Sequence, residues 1–387
     1  MTDPHRAFPR IRPRTAHQPV RAALFLPLLL LPGGCVGTRY AVESEPPLAQ
    51  MTSDAAEPGV HTRVDSERNE VVMVAGPFTI PAGTMDHGSG ASHGGHGAHM
   101  EGMKTPLVPL VWPVDGGLRG FRLGLFRPDG TRLPRDLIHH MNALHFDRRE
   151  LIYPVATRLI AVGSETPDIL LPESHQVRMA RGDSVGWYIM WNNETGRAIE
   201  DVYVELALPY GEAPEPGHTP LTTLYFDTNL TVGEETSFDV PPGRSEKAHE
   251  FRVPVGGTIL AAGGHVHDYG VEVRLEEVET GRVLFRLESD RDGEGRVSSV
   301  EQKIFRSFFG LFESGIRLEP GRSYRVVGVY DNPTGETIPM GGMAQIGGLF
   351  RPDTPARWPA TDRTDAGYRL DRTGIPAPLH GHDAHGP

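Results

Sequence analysis

Hydrophobic residues come in short runs with polar residues interleaved, and turn-forming residues separate the runs. In the first half these are "EVVMVAG", "FTIPAG", "LRGFRLGLF", "LIHHMNALHF", "PVATRLIAV", "SVGWYIMWNN" and "DVYVELAL". The second half continues with "LTTLYFDTNLTV", "HEFRVPVGGTILAAGG", "VEVRLEEVETGRVLFRL", "YRVVGVYDNPTG" and "GGMAQIGGLF". A period near two, with β-branched and aromatic residues bounded by Gly, Pro, Asn and Asp, predicts strands. No stretch has the three-to-four spacing of an amphipathic helix of useful length. Many short strands separated by turns predict an all-β chain of antiparallel sandwiches. Proline and glycine crowd together in "PYGEAPEPGHTP", Pro209 to Pro220, which reads as a boundary. Two jelly-roll-like β-sandwich domains are therefore expected, over residues 70–212 and 218–352.

The flanking segments lack this alternation. Residues 1–35 have several arginines, the apolar run "AALFLPLLLL" and then "PGGC", the organisation of a secretory signal peptide. The single cysteine, Cys35, stands where a bacterial lipoprotein is cut and acylated, although Pro32 departs from the usual lipobox. The bland alternative is ordinary cleavage that leaves a free thiol. Either route predicts export to the periplasm, and acylation would make the membrane a partner through an outer-membrane anchor at Cys35. Residues 36–69 read as a flexible tether. Residues 84–104, rich in Gly, His and Met, read as a loop inside the first domain. Residues 353–387, Pro-rich and ending in "HGHDAHGP", read as a disordered tail.

Composition narrows the chemistry. A formal charge of -12 argues against a nucleic-acid partner, which needs a basic face. No run reaches the roughly 20 apolar residues of a membrane-spanning helix. There is no nucleophile elbow, phosphate loop or H-E-x-x-H motif. What remains is histidine and methionine. With 18 histidines, one H-x-H is expected by chance about once in this length, so "GGHVHDYG" needs support from its surroundings. In a strand His265 and His267 share a face and can meet one ion. If the strand continued unbroken through Gly270, Val271, Val273 and Leu275 would lie on that face too. In "LIHHMNALHF" the adjacent His139 and His140 can share an ion only where the strand bulges, and His145 is a further nitrogen. Met343, flanked by glycines in "GGMAQIGG", offers a thioether, which favours cuprous ion. Each has an ordinary alternative: strand-end histidines hydrogen-bonded locally, one of the adjacent pair facing the core, or a core-filling methionine.

The HH pair, the later H-x-H and the still later glycine-flanked Met resemble the ascorbate-dependent type II copper monooxygenases. The stretch "LYFDTNLTVGEETSFDVPPG" followed by "AHEFRVPVGGTILAAGGHVHDYGVEVRL" is similar in order to that family's carboxyl-terminal copper domain. The resemblance implies two sandwiches across a cleft, with one copper on His265, His267 and Met343 that binds O2. It implies a second copper on His139, His140 and a third histidine, reduced by ascorbate. Near Met190 and Trp191, where the family has that third histidine, this chain has none, and His145 is the substitute on offer. The activity implied is hydroxylation of a C–H bond with O2. The alternative is a non-catalytic copper-binding or structural lipoprotein on the same fold.

Overall fold

A computed structural model of the chain describes residues 59–83, 104–212, 221–230, 236–305 and 315–372, all within one compact unit. The fold is all-β and antiparallel, two sandwiches in succession, as the alternation predicts. In the first, one sheet runs β1 (Gly59–Asp65), β2 (Glu70–Ile80), β10 (Ile199–Pro209), β4 (Gly120–Phe126) and β5 (Arg132–Leu133), with β8 (Ile169–Leu170) also on β4. Its partner sheet runs β3 (Val108–Val111), β9 (Ser184–Trp191), β6 (Ile138–Arg149) and β7 (Ala156–Gly163). In the second sandwich, β11 (Thr222–Asp227), β22 (Ala344–Pro352) and β14 (Gly257–Val266) form one sheet, with β18 (Lys303–Ile304) and β19 (Ile316–Leu318) on β14. The facing sheet runs β13 (Gly243–Arg252), β20 (Ser323–Asn332), β15 (Gly270–Glu277), β16 (Arg282–Arg291) and β17 (Val297–Val300). A two-stranded ribbon pairs β12 (Phe238–Val240) with β21 (Ile338–Gly342).

Alternation builds two separate cores. Trp112, Trp187, Trp191 and Met141 fill the first; Phe226, Leu275, Val326 and Phe350 fill the second. One buried residue of the first half crosses over, and its half-buried neighbour Ile152 packs against the same core. Leu151, in the β6–β7 hairpin, packs into the second core, and the neighbouring Tyr153 and Val155 pack against Tyr225 of β11. The Tyr153 hydroxyl also donates to the Asp227 carbonyl (3.2 Å) and accepts from the Asp227 amide (3.0 Å). The hairpin thus works as a peg that docks one sandwich on the other by apolar burial and a satisfied buried hydroxyl.

The two sandwiches share a local design. After β9, Asn193 Oδ1 accepts from the Thr195 amide (3.1 Å) and hydroxyl (2.7 Å), while its amide donates to the Pro81 and Arg197 carbonyls. At the end of β20, Asn332 Oδ1 accepts from the Thr334 amide (3.0 Å) and hydroxyl (2.7 Å), while its amide donates to the Val240 and Glu336 carbonyls. Each turn ends on a glycine with positive φ, Gly196 at 72° and Gly335 at 80°. The segments they grip match as well, "FTIPAG" in the first half and "FDVPPG" in the second.

Three expectations need correction. Residues 59–65, placed in the tether, form edge strand β1, paired with β2 along its whole length. Its side chains are largely exposed and polar, so no apolar stripe betrays it. Residues 353–372, placed in the disordered tail, fold back on the body. Trp358 Nε1 donates to the Arg149 carbonyl (2.9 Å), and the helix Ala366–Arg372 buries Tyr368 and pairs Asp371 with Arg158 (2.6 Å). Nor does the H-x-H strand continue through Gly270. β14 ends at Val266, a turn closes with Gly270 N–H donating to the His267 carbonyl (2.9 Å), and β15 belongs to the facing sheet. Val271, Val273 and Leu275 therefore do not extend the histidine face. Residues 1–35 with Cys35, read as a signal segment, the His/Met-rich residues 84–103, read as a loop, and residues 373–387 lie outside the described residues.

Candidate metal centre at the junction of the sandwiches

The first pair of histidines is turned by a bulge. Ile138 pairs with Trp191 and His140 with Met190, so β6 spends two residues where β9 spends one. A bulge breaks the alternation of faces, and two consecutive side chains can then lie on one side. The imidazoles of His139 and His140 do so, with ring centroids 4.1 Å apart. Their side is away from the first core: Met141 and Ala143 point inward, while Leu144 and Phe146 pack outward with Tyr368.

The second pair stands at the end of β14. His265 is opposite Gln345 in the register with β22, and Val266 is opposite Ala344. One step further, the His267 amide meets the Met343 carbonyl (3.3 Å). The buried Tyr330 hydroxyl inserts here. It accepts from the Met343 amide (2.9 Å) and the His267 amide (3.3 Å) and donates to the Met343 carbonyl. Burial pushes the Tyr330 phenol above its ordinary pKa, so it stays a neutral donor. Met343 is buried, and its backbone lies cross-strand from that of His267.

Across the junction the two pairs merge. His140 Nε2 lies 3.0 Å from His265 Nε2, and the ring centroids of His140 and His267 are 5.7 Å apart in a stacked arrangement. His139, His140 and His267 each present one ligating nitrogen, all within 4.8 Å of one another. Two bonds of about 2.0 Å to one ion set a limit near 4 Å between donors, so small ring rotations suffice. The copper-family resemblance implies two separate sites; here one residue of the first pair, His140, touches both residues of the second.

A carboxylate that the sequence reading did not single out completes the group. Glu165, in the turn after β7, places Oε1 2.8 Å from His265 Nδ1. Burial pushes the Glu165 carboxyl up. The His265 imidazole, by charge and hydrogen bond, and His139 behind it outweigh burial and hold the carboxyl below its ordinary value. The space it occupies exists because residue 163 is glycine: a Cβ there would sit 2.0 Å from Glu165 Oε2. Gly163 is itself paired with His140 in the β6–β7 register.

His145 does not join. Regular alternation beyond the bulge sends it to the other side, where it is 1 % exposed. Its Nε2 pairs with Asp183 (3.0 Å) and its Nδ1 accepts from the Asp147 amide (3.3 Å), so both ring nitrogens serve the first sandwich.

The molecule is thus an all-β chain of two sandwiches with an imidazole and carboxylate cluster where they meet. No family model and no curated protein matches its sequence. Among solved structures it is similar to peptide-N(4)-(N-acetyl-β-D-glucosaminyl)asparagine amidase (TM-score 0.34, 10% identity, 71% of this chain and 96% of that one). It is likewise similar to PNGase F, a glycosylasparaginase from Flavobacterium meningosepticum (TM-score 0.35, 10% identity, 73% and 96%). A third is the major capsid protein P2 of bacteriophage PM2 (TM-score 0.27, 13% identity, 76% and 98%). These likenesses are distant and bear on neither site nor activity.

Proposed function

We propose that this chain is an exported copper-binding protein whose metal is held between its two sandwiches by His139, His140, His265 and His267. The observation that carries this reading is the approach of His140 Nε2 to His265 Nε2 at 3.0 Å, with His139 and His267 beside them. Four imidazoles from two sandwiches gain little by crowding together unless they share a ligand. Neutral imidazole suits copper and zinc, and copper is the tighter-held of the two. The resemblance to the copper monooxygenases and the place of Met343 across from His267 favour copper further.

Copper bound there would supply one-electron and O2 chemistry, with ascorbate as the reductant if the chain is an enzyme. The protein's own part is to hold the rings. The β6 bulge sets His139 and His140, Tyr330 ties His267 to Met343, and the β6–β7 peg fixes the two halves. Hydroxylation of a C–H bond is the second reading, favoured by the Met343 placement; a non-catalytic copper-binding lipoprotein anchored at Cys35 is its rival.

The test is copper titration of untagged protein lacking residues 85–103, followed by oxygen uptake with ascorbate. Tight copper that is lost in His267→Ala supports the binding reading, and ascorbate-driven uptake coupled to a product supports the enzyme. Wild-type protein that ignores cuprous ion contradicts both.

A further inference from the structure

We propose that Glu165 is a positioning residue: reaching from the first sandwich, it fixes the ring of His265 in the second so that Nε2 faces the cluster as a bare lone pair. The proposal rests on the copper reading for its purpose, but not for its geometry.

A neutral imidazole carries one proton, and the partner of one nitrogen decides what the other offers. A carboxylate only accepts. With Glu165 Oε1 2.8 Å from Nδ1, the proton of neutral His265 belongs on Nδ1, and Nε2 is left as an acceptor. That acceptor points at His140 Nε2, 3.0 Å away. Without metal, His140 then donates to His265. With metal, the same lone pair is a ligand already aimed. A carboxylate behind a ligating histidine is a recurrent arrangement that orients the ring and raises its basicity.

The carboxylate's place is built. Glu165 is largely buried, with a side chain 9% exposed, and Thr166 closes the turn beneath it, its hydroxyl accepting from the Gly163 amide (3.0 Å). Gly163 leaves the room the carboxylate fills. Its backbone does not need positive φ, so alanine suits the chain there, and the three nearest atoms its Cβ would meet all belong to the Glu165 carboxylate. Gly163→Ala therefore moves the carboxylate without deleting it.

Two measurements on the whole chain decide the matter. In metal-free protein at alkaline pH, the 15N shifts of the His265 ring should report the Nδ1–H form. Glu165→Ala and Gly163→Ala should shift it toward the Nε2–H form, while Glu165→Gln, whose carbonyl still accepts, should restore Nδ1–H. An Nε2–H ring in the wild type, or no change in Glu165→Ala, overturns the proposal. In the second measurement, copper titration, Glu165→Ala and Gly163→Ala should bind about 10- to 100-fold more weakly, with Glu165→Gln recovering most of the loss. Equal affinity in all four proteins overturns it too. If the wild type takes no copper, the copper reading fails, and the ring shifts still judge the positioning role.

Discussion

The two sandwiches carry the same bulge in the same place and fill it differently. In the first, the strand beside β9 bulges between Ile138 and His140, opposite Met190 and Trp191, just before the Asn193 turn. In the second, the strand beside β20 bulges between Gly270 and Glu272, opposite Val329 and Tyr330, just before the Asn332 turn. The first bulge presents two imidazoles. The second presents Val271 and Glu272, and Glu272 is committed to Arg274 (2.9 Å) and Arg286 (3.3 Å). The second sandwich brings its histidines instead from the end of β14. A bulge, then, supplies direction and no chemistry. The centre arises because one half's bulge and the other half's strand end face the same gap.

The strongest way to break this comparison is to remove a ring. His140→Ala should weaken copper binding by more than about 100-fold, beyond the 10- to 100-fold typical of losing a group that only supports a ligand. A chelator-competition titration reads it. Next is the clamp that carries the folded-back tail. Asp371→Ala strands the largely buried Arg158 guanidinium and should cost about 3 kcal/mol in urea unfolding. The paired turns come third. Asn193→Ala and Asn332→Ala should each cost about 2 kcal/mol, because each removes a buried amide that holds several backbone groups, the Ile80 and Val240 carbonyls among them. Unequal losses would mean that the two turns share a shape but not a role.

The remaining test is a pH slope rather than a fixed loss. Glu150, fully buried in the β6–β7 peg, has its carboxyl pushed up to about 8 by burial, against which the Arg158 amide and charge pull only in part. A raised carboxyl pKa means the folded chain holds the proton more tightly, so this group's contribution falls as pH rises from about 4.5 to about 8. Thermal melts of Glu150→Gln should show a flatter pH profile across that window and higher stability than wild type at its alkaline end.

Much of the fold was legible because alternation is a local property. The quoted runs mark β6, β9, β14 and β20, although β6, β14 and β20 each reach one to three residues past them. The condition for His139 and His140 to share a side, a bulge, was legible too, since adjacent residues in a regular strand cannot. What escaped is non-local or weakly patterned. Glu165 sits in a polar turn with nothing to mark it until His265 arrives from a hundred residues on. β1 is exposed and polar, and the tail's anchors, Trp358, Tyr368 and Asp371, are isolated residues in a Pro-rich stretch. His145 misled because its spacing suits a ligand while its half-buried partner Asp183 lies on a neighbouring strand's approach. The duplicated turn was visible in "NNETG" and "DNPTG", but only the shared hydrogen bonds show that the two asparagines do the same work.

The central claim is that the two histidine pairs make one site. Copper stoichiometry and affinity should be measured, without residues 85–103, for wild type, for His139→Ala/His140→Ala and for His265→Ala/His267→Ala. A shared centre predicts that either double substitution removes the tight copper. Retention of one tightly bound copper by each double variant would contradict it and return the pairs to two independent sites.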